Sequence, residues 1–85
     1  MEKEMKVSQR TIPKYLASAI LLALKDGHTV KLNCIGQSIR PACVALALVN
    51  KLNDTGKELK FTPSLEQVES NEGRYSIVTW KVELI

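Results

Sequence analysis

From Val30 to Val49 the chain reads VKLNCIGQSIRPACVALALV: an alternating run, a Gly-Gln-Ser corner, and a segment from Ala42 to Val49 that contains no polar residue. Val30, Leu32 and Cys34 fall on one side of a period-2 stretch and Lys31, Asn33 and Ile35 on the other, the pattern of a strand with one face against a core. Gly36 lets the chain turn. Ser38 is placed to accept a hydrogen bond from the first helical turn, and Pro41, which has no N–H, does least harm within that same turn. The sequence therefore predicts a helix starting near Ser38 or Ile39 that shows hydrocarbon on every side. One face can meet a sheet. The other needs a neighbouring helix or a second subunit, because an 85-residue chain has little left to cover it.

With 45% hydrophobic and 25% charged residues, the composition is that of one compact globular domain, expected to span residues 1–85. Cys34 and Cys43 form neither a CxxC pair nor part of a histidine-rich ligand set, and each lies in an apolar run, so both are expected to be buried, reduced thiols. No metal or other cofactor is expected. Residues 1–11 are charged, and no segment approaches the roughly 20 apolar residues of a membrane span. A cytoplasmic protein away from the membrane is the expectation, with association with the nucleoid open to it. The net charge is +3, unevenly distributed: ten basic residues face five acidic ones through residue 60, and two face four thereafter. Such asymmetry suits contact with a polyanion or self-association between unlike patches.

Before this stretch, Met5 to Ser8 reads as a short strand with Met5 and Val7 directed inward. Thr11 is the expected cap of a first helix, with Pro13 in its first turn and Leu16, Ile20, Ala23 and Leu24 at helical spacing. That helix ends near Asp26, with Lys25 in its last turn and Gly27 where a left-handed residue is wanted. His28 is a lone histidine in a connection. After the second helix, Asn53-Asp54-Thr55-Gly56 signals a loop, Lys57 to Thr62 alternates, and Pro63 marks an edge, bend or bulge. Leu65 to Ser70 continues as a polar extended arm, Asn71-Glu72-Gly73 supplies a turn, and Tyr75 to Ile85 alternates throughout. Val78, Trp80, Val82 and Leu84 form its core-facing side, and Tyr75, Ile77, Thr79, Lys81 and Glu83 its wetter side.

The predicted order is βαβαββ. Helical crossovers imply parallel pairing of successive strands and the final hairpin is antiparallel, which predicts a four-stranded mixed sheet with two helices on one face. This order, the KVS of Lys6 to Ser8, the CIGQSIRPACVALALV of Cys34 to Val49 and the FTPSLEQVE of Phe61 to Glu69 resemble the stage V sporulation protein S family and, more distantly, the Alba chromatin proteins. The resemblance implies an α/β fold of the Alba-like kind, a homodimer or homotetramer formed through the Ile39–Leu52 helix and nearby strands, nucleic-acid binding, and a part in sporulation.

Alba proteins place a pair of lysines after the first strand, where this chain has Gln9 and Arg10, with Lys14 a turn further on. Where they often show Arg-Gly-Arg, this chain has Ile35-Gly36-Gln37, with Arg40 three residues later. At the hairpin tip Arg74 matches, beside Glu69 and Glu72. The resemblance thus implies that Gln9, Arg10, Lys14, Gln37, Arg40 and Arg74 meet the DNA or RNA backbone, at the weak end of non-specific affinity. Independently, Arg10, Lys14 and Arg40 lie near two helix N-termini, whose dipoles favour phosphate. Catalysis finds no support: Glu66, Glu69 and Glu72 have no histidine or nucleophile to work with, and neither cysteine has an activator. The competing expectation is a self-associating regulatory or scaffold protein whose basic face is incidental.

Overall fold

The computed structural model describes residues 1–85, except for the side chain at position 70. Strands β1 (Glu2–Val7) and β2 (Thr29–Ile35) are separated by α1 (Pro13–Lys25), and α2 (Ile39–Leu52), entered through a 3-10 turn at Gly36–Ser38, leads to the consecutive strands β3 (Leu59–Ser70) and β4 (Gly73–Leu84). They form one sheet in the order β1-β2-β4-β3, with β1 parallel to β2 and the other neighbours antiparallel. The predicted element order, mixed sheet and two helices are therefore observed. One expected pairing is not. β2 and β3 run the same way but do not touch, because β4 lies between them and takes β2 as partner from Val30↔Val82 to Ile35↔Ile77. Pairing β2 on both sides buries Val30, Leu32 and Cys34 completely and sends β3, with its proline, to the sheet edge.

The sheet's covered face carries Val7, Val30, Leu32, Cys34 and Val82, and both helices lay apolar stripes on it. In α1 the stripe is Leu16, Ala17, Ile20, Ala23 and Leu24, and in α2 it is Ala42, Ala45, Leu46 and Val49. Both follow helical spacing. Gly27, at φ +87°, ends α1 in the left-handed conformation expected of it. Lys25 then ties this end to the loop after α2 through a 2.9 Å ion pair with Asp54. The Lys25 hydrogen bond, reinforced by its charge, holds the Asp54 carboxyl below the usual carboxylate range. On the sheet's uncovered face Asn33 bridges strands, donating to Glu4 Oε1 and accepting from Thr79 Oγ1 at 3.2 Å.

Two expected caps do other work. Thr11 does not cap α1, whose N-cap is Ile12; its Oγ1 accepts the Ser8 N–H at 2.9 Å and so closes the turn before the helix. Ser38 occupies the N-cap position of α2 without capping it, because its Oγ accepts the Ile35 N–H at 2.6 Å and donates to the Ile35 carbonyl at 2.9 Å. Cys43 also departs from expectation. It sits on the outer side of α2 and is exposed, while Cys34 is buried.

Leu32→Ala should lower unfolding free energy by about 2–5 kcal/mol, the usual range for a fully buried leucine, whereas Leu65→Ala, on a side chain 71% exposed, should change it by less than about 0.5 kcal/mol. Denaturant titration of the two variants checks this. Burial, with a smaller contribution from the neighbouring Cys43 thiolate, pushes the Cys34 thiol from 9.0 to about 11. The unfolded chain therefore loses that proton first, so the associated stability is intact below pH 9 and is lost as pH rises towards about 11. Wild type should lose more stability over this window than Cys34→Ala, and a thiol reagent should modify Cys34 only after unfolding.

Candidate nucleic-acid interface

The ends of β1 and β2 lie side by side, Val7 opposite Cys34, and each strand passes immediately into a turn that leads to a helix. Crevices at the carboxyl ends of adjacent parallel strands are where open α/β sheets commonly bind ligands. The two turns are locked by serine and threonine. In the first, Thr11 N–H donates to the Ser8 carbonyl at 3.0 Å, Ser8 N–H donates to Thr11 Oγ1, and Arg10 N–H reaches Ser8 Oγ at 3.3 Å. Gln9 and Arg10 are thereby held at its tip. In the second, the two hydrogen bonds between Ser38 and Ile35, together with Gly36 at φ +55°, turn Gln37 outward and start α2 so that Arg40 falls in its first turn.

Between the two turns is an open concavity of about 640 Å³ lined by Gln9, Arg10, Gln37, Arg40 and Pro41. Four of the six residues expected from sequence meet here. All four are exposed, and among the described residues no carboxylate pairs with Arg10 or Arg40. Neither α1 nor α2 has a side-chain cap or an acidic residue in its first turn, so the positive ends of both helix dipoles are left uncompensated beside the two guanidiniums. The arrangement suits an oxyanion such as phosphate, held by bidentate arginine contacts and oriented by the two glutamine amides. The lining contains no histidine, cysteine or carboxylate.

The other two expected residues lie elsewhere. Lys14 is exposed in the first turn of α1 but does not line the concavity. Arg74 is near the tip of the β3–β4 hairpin, where its Nε meets Glu69 Oε1 at 2.8 Å across the Glu69↔Arg74 register pair. Both side chains are mostly exposed, so this pair stabilises the fold by less than about 1 kcal/mol, while Glu69 offsets the charge that Arg74 offers to a phosphate.

A second feature escaped residue-by-residue reading. The outer side of α2 and the edge of the sheet frame an apolar groove lined by Cys43, Leu46, Ala47, Asn50, Leu59, Phe61 and Trp80. The uniform hydrocarbon of α2 pointed to such a surface, but its other wall is formed by Leu59 and Phe61 of β3 with Trp80 of β4, and the order of elements, which predicted the β3–β4 hairpin, did not disclose that β3 lies at the sheet edge. Among the described residues no three His, Cys, Asp or Glu side chains cluster as a metal site, and no helix is long and apolar enough to cross a membrane.

Comparison with known proteins agrees with this architecture. No curated protein matches the chain. Among solved structures, Alba from Thermoplasma volcanium superimposes with a TM-score of 0.64 at 10% sequence identity, over 96% of this chain and 98% of that one, a likeness that speaks for the fold alone. The family model described as Stage V sporulation protein S (SpoVS) matches residues 3–85, and on that match, extending over almost every position, the chain belongs to the stage V sporulation protein S family.

Proposed function

We propose that this protein binds DNA or RNA weakly and without sequence preference, through backbone phosphates, as a homo-oligomer serving a sporulation-related regulatory role in the cytoplasm. The observation that carries the reading is the concavity in which Arg10 and Arg40, without a carboxylate partner among the described residues, stand with Gln9 and Gln37. Two arginines per chain supply a modest electrostatic term. Doubling the chain doubles it, and the apolar groove between α2 and β3 is the surface through which two copies would bury Cys43, Ala47, Leu59 and Phe61. Lys14 extends the basic surface along α1, and Arg74 contributes less, because Glu69 offsets its charge. The neutralised hairpin cation sets the affinity towards the weak end of the non-specific range, about 10⁻⁴ M at physiological salt. The groove also favours a second reading, a self-associating regulator that works through protein contacts alone.

Fluorescence anisotropy of a labelled duplex and of matched RNA, titrated at several salt concentrations, separates the two. A phosphate binder with four arginines per dimer should give a log–log salt slope of roughly −2 to −4. Arg10→Glu with Arg40→Glu should abolish binding while leaving the groove-mediated oligomer intact above about 0.15 M salt, where long-range charge effects are largely screened. Absence of binding by wild type at low salt would remove the nucleic-acid assignment and leave the self-associating regulator, whereas unchanged binding by the double variant would remove the assignment of the site to Arg10 and Arg40.

A further inference from the structure

Beyond the Ile35↔Ile77 pair β4 has lost β2 as a neighbour, and residues from Gln67 to Ser70 pair with Gly73 to Ser76 alone. The result is a two-stranded arm, roughly 15 Å long at about 3.3 Å per residue, on a molecule whose longest dimension, arm included, is 45 Å. Its charge is opposite to that of the concavity. From its root to its tip the arm carries Glu66, Glu69 and Glu72 against the single cation Arg74, an excess of two negative charges however they pair locally. The concavity holds Arg10 and Arg40 and no carboxylate. Arm and concavity also share one end of the molecule, because Gly36 directly follows Ile35, the residue opposite the arm's root.

We infer that the acidic arm of a second copy docks in the Gln9–Arg10–Gln37–Arg40 concavity. The arm leads away from the body in line with the sheet, and its own concavity lies beside its root, so the site within reach of its tip belongs to another molecule. Since the two surfaces share an end, two copies related by a two-fold axis exchange arms reciprocally, each surface meeting its complement, which closes the assembly instead of propagating it. The contact is polar and exposed, unlike the apolar groove beside α2, and is screened by salt. It also uses the guanidiniums assigned above to phosphate, so the arm and a nucleic acid compete for one site. The docking itself stands without the nucleic-acid reading.

Sedimentation equilibrium without any nucleic acid tests this at about 30 mM and about 300 mM ionic strength, where the Debye length falls from roughly 18 Å to 6 Å. Two charge-reversed proteins are needed, one with Arg10→Glu and Arg40→Glu, the other with Glu66→Lys and Glu72→Lys. All four positions are exposed, and circular dichroism confirms that the fold is kept. Wild type should gain mass at low salt, with an association at least about tenfold tighter than at high salt. Each variant alone should keep its high-salt mass at low salt, and an equimolar mixture should regain the increment, because the acidic concavity of one then meets the basic arm of the other. A wild-type mass indifferent to salt, variants that gain mass as wild type does, or a mixture that gains none would overturn the inference. None of these outcomes bears on whether the chain binds DNA or RNA.

Discussion

The structure depends on β2 being paired on both sides. With β1 parallel on one side and β4 antiparallel on the other, its backbone groups are satisfied in the ladder, and Val30, Leu32 and Cys34 can lie entirely out of water beneath two helices. Burial of that row drives the hydrophobic packing of the middle of the molecule. It also sets the position of everything at the strand ends. Because β1 and β2 finish level, at Val7 and Cys34, the turns that follow stand side by side and bring Arg10 and Arg40 to one place. The same register releases β4 from β2 at Ile77, which is where the arm begins.

Much of the fold was legible in the period of the apolar residues. Alternation identified β2 and β4, and the spacing of Leu16, Ile20, Ala23 and Leu24 identified α1 together with the face it buries. Strand adjacency was not legible. A helical crossover fixes the relative direction of two strands but leaves room for a third between them, and only the shared burial of Val30 with Val82 and of Cys34 with Val78 decides in favour of β4. Cys43 was misjudged for a related reason. An uninterrupted apolar segment does not reveal which of its sides the sheet will cover, and here the covered stripe is Ala42, Ala45, Leu46 and Val49.

The candidate site was legible in its residues more than in its construction. Thr11 and Ser38 carried the signature of helix caps, since both precede helices by the right interval. In each turn a nearer backbone group was available, Ser8 N–H for Thr11 and both polar groups of Ile35 for Ser38. A side chain that closes a turn over three residues forgoes little chain entropy, because the turn already holds the partners together. The functional consequence is larger than the energetic one. Closing these turns is what fixes Gln9, Arg10 and Gln37 at exposed tips beside Arg40.

The positions that determine the fold and those that form the candidate site are thus separate. Apolar residues at period 2 and period 3.6 specify the sheet and the helix faces, and these can be kept while almost every other residue changes, as the 10% identity with Alba from Thermoplasma volcanium at a TM-score of 0.64 illustrates. The turn tips and the arm contribute nothing to that core. Their charges are free to vary, and with them the partner, so fold alone carries no function. In this chain Arg10 and Arg40 meet at the strand ends and Glu66, Glu69 and Glu72 lie along the hairpin, on surfaces that share one end of the sheet. Net charge averages the two away. Any polyanion approaching Arg10 and Arg40 also approaches the root of an acidic arm, so its affinity is set by the difference between these two surfaces and not by the chain's overall +3.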